Sequence, residues 1–588
     1  MLKQLIHCGV VIPEPPPPLG LVLTIQGAPR ALTPKQEEMA LAWAKKQGTP
    51  YVEDRVFVAN FLADFSQELG LDCALSLDEV DFGPAIRVIE KERAAKEALT
   101  REERKALAAE RKVQREALRE RFGYAIANGE RVELANYMVE PSGIFMGRGK
   151  HPLRGRWKEG AHYKDVTLNL SPDAPIPEGA WGEIVWQPES LWVARWKDKL
   201  SGKLKYVWLG DTAPIKQARE ARKFDKAHKL HDRLDIVRAR IQEDLSEEDP
   251  KQRMIATACY LIDSLCLRVG DEKDPDEADT VGATTLRPEH VTLHEDGSAE
   301  FRFLGKDSVL WHKTIDLPPV VQTNLQELID NARPSNASKN GDRGHPTRDK
   351  PQIFPDISSR DVNAYLSSIQ SGLTAKVFRT HHATIAVRSS LEESGVEPDD
   401  PEYVKWEAAN LANLEAAMLC NHTKQAPANW ANSRERTKER QQKAEERVQT
   451  YRDKASELRQ ALADLREESR AKIEEASEAQ KPKVRARYRK RIESAKGRLE
   501  KAREQLERAR NSRDKIKAQA SIASKKRTWN LGTSLKSYID PRIYYDWGQQ
   551  VDYDVLERYY PTTLRRKFAW VKADSEEEAA ESNSSGKD

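Results

Sequence analysis

Between residues 444 and 465 the apolar side chains fall at Ala444, Val448, Tyr451, Ala455, Leu458, Leu462 and Leu465. Alternating steps of four and three are the seam of helices packed along their length. The same spacing resumes after Lys481-Pro482 at Val484, Tyr488, Ile492, Ala495, Leu499, Ala502, Leu506 and Ala509. A seam repeated on both sides of a proline predicts a chain that folds back at Pro482 into an antiparallel coiled coil. Each arm of roughly 30 residues would reach about 45 Å at about 1.5 Å per residue.

Upstream, Glu14-Pro-Pro-Pro-Pro18 reads as an extended connector and Leu21-Val-Leu-Thr-Ile25 as a strand. Thr33-Pro34-Lys35-Gln36 is a helix start, with Thr33 as N-cap, Pro34 in the first turn and Gln36 reaching back. Residues 85–121 read as two charged helices with solvated faces, the second starting at Thr100-Arg-Glu-Glu103. From 161 to 209 the text turns to short strands, around Val166–Leu170, Glu183–Trp186, Leu191–Arg195 and Leu204–Leu209. Residues 216–268 are helical again, and the apolar run Ile255 to Leu267 delivers Arg268. Glu300–Phe303 and Val309–His312 flank Gly305-Lys306-Asp307, a hairpin with Lys306 at its tip. Helices dominate from 360 to 430, a compact piece covers 528–572, and the acidic, Ser-rich tail from Asp574 is expected to be disordered.

At 588 residues the chain is too long for one core, so several domains are expected. Charged residues make up 32% and mean hydropathy is −0.75, which suits long solvated helices rather than a membrane protein. No apolar run approaches the ~18 to 20 residues that span a bilayer, and Met1-Leu-Lys-Gln-Leu5 lacks a signal peptide's apolar stretch. An intracellular protein of cytoplasm or nucleoid is expected, nuclear only if the source is eukaryotic. The five cysteines form no CxxC pair, so reduced core thiols are expected rather than disulfides or metal ligands. The net charge of +3 hides an uneven distribution: residues 431–530 hold 31 Lys/Arg against 17 Asp/Glu. A basic segment therefore sits on a mildly acidic frame.

Five short words carry candidate chemistry: LCLRVGDEK (265–273), FLGKDS (303–308), AKVFRTHHAT (375–384), LCNHTKQAP (419–427) and GTSLKSYIDPRI (532–543). Attack on a phosphodiester builds negative charge on the non-bridging oxygens, which Arg holds with fixed, bidentate donors; Arg268 and Arg379 are the candidates. Lys306 could protonate a departing 5′-oxygen, and His422 could donate a hydrogen bond to a phosphoryl oxygen. Tyr538 is the candidate nucleophile, although only about one phenol in a thousand is ionised at neutral pH, so cations or a base must assist it. Taken singly, each of these residues is more ordinarily a surface ion pair, a turn lysine, a capping histidine or a packing tyrosine. His381-His382 lack a carboxylate or cysteine at ligand spacing, so no metal site is expected. Gly147-Arg148-Gly149-Lys150 fails the phosphate-loop pattern, and ATP dependence is not indicated.

Together the words resemble the signature of type IB DNA topoisomerases in their cellular form, in the family's order and over about residues 10 to 572. The resemblance implies that Arg268, Lys306, Arg379, His422 and Tyr538 match the catalytic five, and that Arg148, Lys158, Lys205, Tyr206, Asp307 and Ser537 touch DNA. It implies a multidomain α+β clamp on duplex DNA: mixed α/β cap and core lobes, a mainly helical catalytic lobe, a coiled-coil linker and a small helical tyrosine domain. The implied boundaries are 1–19 and 111–215 for core lobe I, 20–110 for the cap lobe, 216–432 for the catalytic lobe, 433–525 for the linker, 526–573 for the tyrosine domain and 574–588 for the tail. The implied activity is relaxation of positive and negative supercoils through a 3′-phosphotyrosyl intermediate and strand rotation. It would proceed without ATP, by a monomer that needs no cofactor and that magnesium can stimulate. Met146, Asp271 and Ser537 depart from the usual eukaryotic residues, Ser537 at a position that bears on camptothecin-type poisons. An archaeal member is expected. The alternatives are a tyrosine site-specific recombinase, which acts as a synaptic tetramer on defined sites, and a DNA-clamping protein with an inert site.

Overall fold

A computed structural model describes residues 1–271, 279–334 and 350–573. The acidic tail from Asp574 and the last residues of the LCLRVGDEK word lie outside the described residues. The chain divides into two compact units, Met1–Ala375 with the stretch from Arg566 onward, and Lys376–Arg565.

In the first unit, strand Leu5–His7 pairs antiparallel with Tyr124–Ala127, which pairs with Glu130–Glu133. A four-stranded sheet follows in the order Glu183–Val185, Val166–Asn169, Trp192–Lys197, Leu204–Trp208, with only its first pair parallel. Alternation along these strands buries Leu5, Leu168, Val193 and Val207 completely, making one core. A second core lies where helices Pro34–Ala44 and Arg55–Glu68 pack Trp43 flat on Phe61 at 4.7 Å between centroids. The helix Pro34–Ala44 begins as its sequence predicts: Gln36 N–H donates to Thr33 Oγ1 and Thr33 N–H to Gln36 Oε1. Thr100 and Glu103 make the same reciprocal box for helix Arg101–Phe122, which buries no residue and is solvated all round.

Helices Pro214–Asp244 and Pro250–Leu265 lead to the hairpin of Ser298–Gly305 and Val309–Asp316. The end of the described chain returns to this unit. Phe568 is fully buried against Phe224, Lys567 pairs with Glu220 at 3.2 Å, and Gln217 donates to the Arg566 carbonyl.

The second unit is helical among the described residues. Its long helices Trp430–Glu475 and Lys481–Lys525 run antiparallel: Val448 clusters with Leu506 and Ala509, and Leu462 with Ala495 and Leu499, so one numbering rises as the other falls. Two points differ from the sequence expectation. The reversal occupies residues 476–480, and Pro482 sits in the first turn of the second helix, where its missing N–H costs nothing. The helices hold 46 and 45 residues, nearly 70 Å each at about 1.5 Å per residue. They outrun the apolar seam because polar groups continue the pairing, Arg513 and Lys517 reaching across to Glu445 at 3.4 and 3.3 Å. At its base the second arm packs on helix Glu402–Leu419, with Lys526 Nζ donating to Asn410 Oδ1 at 3.3 Å.

Candidate active site

In the second unit, three of the expected residues meet although 159 positions separate the outer two. Helix Glu402–Leu419 ends at Cys420, and Asn421 takes a left-handed φ of 52° that turns His422 back beneath the helix, its N–H donating to the Ala417 carbonyl at 2.8 Å. The helical hairpin then leaves the body of the unit, and its two roots are stitched together. Thr423 bridges Trp529, Lys424 N–H donates to the Thr528 carbonyl, and Asn530 N–H donates to the His422 carbonyl at 2.6 Å. The hairpin is thus closed at its base, and the chain resumes beside the point where it departed.

From there the helix Leu531–Ser537 runs about two turns and presents Tyr538 as its C-cap, with the Tyr538 N–H donating to the Ser534 carbonyl at 2.9 Å. Asp540 caps the next helix, Pro541–Gln550, so Tyr538 lies in a tight corner between two helices. Thr384 pins that corner to the helix Ala375–Glu392: its Oγ1 donates to the Tyr538 carbonyl at 3.3 Å and accepts from Asp540 N–H at 3.1 Å. The same helix carries Arg379. Its guanidinium lies 5.0 Å from the centre of the Tyr538 ring, and Nη2 donates to the Cys420 carbonyl at 3.0 Å and toward His422 Nε2 at 3.4 Å. The His422 ring lies 5.1 Å from the Tyr538 ring, centroid to centroid, and its Nδ1 is 2.7 Å from Ser534 Oγ. All three side chains are buried, Tyr538 being 4% exposed. The neighbouring phenols of Tyr544, Tyr559 and Tyr560 are pushed upward by burial and fill a core, which suits packing and not nucleophilic attack.

The first unit holds the other two. Helix Pro250–Leu265 stops at Cys266, whose left-handed backbone turns the chain out, and Arg268 follows half-buried. The Arg268 stretch is clasped by residues 282–284. Ala283 N–H donates to the Arg268 carbonyl at 2.9 Å, Thr284 N–H to the Val269 carbonyl at 2.8 Å, and Gly270 and Gly282 touch so closely that a Cβ on Gly270 would lie 2.7 Å from the Gly282 Cα. One residue earlier, Val281 N–H donates to the Leu304 carbonyl at 2.8 Å. The same short segment therefore ties the Arg268 loop to the strand that delivers Lys306. Lys306 stands exposed at the hairpin tip, over a base of buried Phe301, Phe303 and Trp311. Asp307 and Ser308 take positive φ values of 65° and 58° to close that tip.

A groove of about 750 Å³ opens beside the tip, lined by Arg148, Lys158, Lys205, Thr280, Asp307 and Ser308 among others. Its cations are held by carboxylates. Arg148 pairs with Asp307, and Lys158 pairs with Glu140 and, at 2.7 Å, with Asp198. Burial alone would lower the Lys158 ammonium, but Asp198 and Glu140 outweigh it and raise it above its ordinary value. Gly149 packs against the tip so tightly that a Cβ would lie 2.4 Å from Ser308 Oγ. Lys205 faces this groove; Tyr206, next along the strand, alternates to the other face and packs on Trp208 at 5.0 Å. Ser537, half-buried, is the last residue of its helix.

Sequence reasoning missed Ser534 and Thr384, which touch His422 and the Tyr538 corner. Ser534 lies four residues before Tyr538, one helical turn, and that spacing was the available signal. Among the described residues no cluster of His, Cys, Asp and Glu could hold a metal ion, and no helix is long and apolar enough to cross a membrane.

Comparison with known proteins covers both units. Residues 2–209 match the DNA binding fragment of eukaryotic DNA topoisomerase I, residues 212–455 its catalytic core, and residues 510–579 a C-terminal topoisomerase domain. The chain is 31% identical to the human mitochondrial DNA topoisomerase I over 97% of its own length and 90% of that protein. It is 32% identical to DNA topoisomerase 1 beta of Arabidopsis thaliana, covering 97% of this chain and 58% of the plant protein. Against DNA topoisomerase 1 of Candidozyma auris it is 36% identical over 73% of this chain and 56% of that protein. The chain thus spans little more than half the length of these last two relatives.

Proposed function

The chain belongs to the eukaryotic DNA topoisomerase I family, and from that membership we propose that it relaxes positively and negatively supercoiled duplex DNA without ATP. The observation that carries the reading is the meeting of Arg379, His422 and Tyr538 within about 5 Å of one another in the second unit. A guanidinium and an imidazole gathered on one tyrosine suit attack on an anionic phosphodiester.

The reaction is a transesterification. The Tyr538 oxygen bonds to phosphorus, its proton passing to water, and the bond from phosphorus to the 5′-oxygen breaks; Lys306 supplies the proton that makes the leaving group a 5′-hydroxyl. Arg268, Arg379 and His422 hold the charge that grows on the non-bridging oxygens. One phosphodiester replaces another, so the 3′-phosphotyrosyl bond retains the energy needed to reseal the strand by the reverse path. While the strand is open, the free end swivels about its intact partner and supercoils are lost.

Tyr538 is 4% exposed, so attack requires the phenol to be uncovered. Arg148, Lys158 and Lys205 would exchange their carboxylates Asp307, Asp198 and Glu140 for phosphates. The family fold would act as a clamp around the duplex, with the basic helical hairpin as a linker that slows swivelling. A monomer suffices, and no metal is required in this scheme. The test is relaxation of plasmids of either supercoil sign with ATP omitted and a chelator present. Complete relaxation by the natural chain and none by Tyr538→Phe is expected; activity in Tyr538→Phe, or a requirement for ATP, would overturn the reading.

A further inference from the structure

We infer that Ser534 is a positioning residue for this reaction: its hydroxyl holds the His422 ring and lets Nε2 change from accepting a hydrogen bond to donating one. The inference rests on the function proposed above for the same site. Ser534 is fully buried, and it touches both partners at once. Its Oγ lies 2.7 Å from His422 Nδ1, while its carbonyl accepts the backbone N–H of Tyr538 at 2.9 Å and of Ile539 at 3.2 Å. A shift of this one residue would move the histidine and the nucleophile together.

The hydrogen-bond chemistry fixes the resting tautomer. Arg379 Nη2 faces His422 Nε2 at 3.4 Å, and a guanidinium can only donate, so Nε2 presents its lone pair. The neutral ring then carries its proton on Nδ1 and gives it to Ser534 Oγ. To hold a phosphoryl oxygen, however, Nε2 must carry a proton of its own. The ring can take one from water and become an imidazolium, whose Nδ1–H still donates to Oγ. Alternatively it takes one from water at Nε2 and returns the one at Nδ1 to the hydroxide so formed, and Nδ1 then accepts from the Oγ–H. A hydroxyl serves in both cases because it donates and accepts; a methyl group serves in neither. Arg379, released from Nε2, turns to the same phosphate.

The test has two readouts on the full chain. In ¹⁵N-histidine spectra, with His422 assigned by its loss in His422→Gln, the DNA-free protein should show the Nδ1–H form of that ring, and Ser534→Ala should shift it toward a mixture. In single-turnover cleavage of a duplex, Ser534→Ala should be about tenfold slower, the size of one buried hydrogen bond. The same substitution should cost nothing further in the His422→Gln background, because its effect passes through the imidazole. Equal losses in both backgrounds would make Ser534 merely structural and overturn the inference, as would an unchanged His422 spectrum in Ser534→Ala. If the natural chain fails to cut DNA, the functional proposal falls by itself, and the spectra alone decide whether Ser534 sets the tautomer.

Discussion

Replacing Arg379 separates chemistry from binding and from folding, and the structure sets the size of each effect. The side chain is 2% exposed and gives Nη2 to the Cys420 carbonyl and toward His422. In Arg379→Ala the Cys420 carbonyl loses that donor and the corner around Tyr538 loses a flat cation, a stability cost of about 1–3 kcal/mol. Loss of one fixed donor aimed at the developing phosphoryl charge is larger in rate, roughly 10²- to 10³-fold in cleavage, or about 2.7–4 kcal/mol. Duplex affinity rests on many phosphate contacts, so losing one of them changes it little by comparison. Arg379→Lys keeps the charge and loses the fork, and should fall between Arg379→Ala and the natural chain. Three measurements suffice: single-turnover cleavage of a suicide duplex, anisotropy of duplex binding at fixed salt in a Tyr538→Phe background, and urea unfolding. Cleavage and binding falling by the same factor would refute the reasoning and make Arg379 a structural residue.

Two further predictions concern the first unit. His7 is buried, its Nε2 donating to the Asn169 carbonyl and its Nδ1 accepting from Gly9 N–H, and burial pushes the imidazole from 6.5 down to about 4. Between those values the unfolded chain binds a proton that the folded chain excludes, so stability is lost as pH falls from 6.5 toward 4, by about 3 kcal/mol in all. Urea unfolding of His7→Gln should lack this component, and a pH dependence parallel to that of the natural chain would count against it. Phe568 is fully buried against Phe224 where the described chain ends. Phe568→Ala should lower the stability of that unit by about 3–5 kcal/mol; an unchanged thermal midpoint would show that the returning segment does not hold.

Local rules were legible in the sequence wherever the partner was near. The caps at Thr33 and Thr100 need only a residue three positions on, and the hairpin that lifts Lys306 needs only two apolar runs about a turn. The helical pair announced itself through its seam, but its reversal at residues 476–480 did not, because a proline looks the same beginning a helix as breaking a chain. What brings His422 to Tyr538 is the stitching of Thr423 to Trp529 across the whole hairpin, and no periodicity encodes a pairing of that span. Ser534 and Thr384 were missed for the same reason, since a lone hydroxyl gains meaning only from a distant partner. The pairing of Arg148 with Asp307 and of Lys158 with Asp198 was invisible too; the sequence showed Arg148, Lys158 and Asp307, and only the fold shows which charges neutralise one another.

That Tyr538 is the residue that joins DNA is tested most directly by trapping the natural chain on a duplex with denaturant during turnover and mapping the attached peptide. One adduct is expected, on the peptide containing Tyr538, linked to the 3′ end of the broken strand with a free 5′-hydroxyl opposite. Attachment to a 5′ end, or to any other residue, would contradict it.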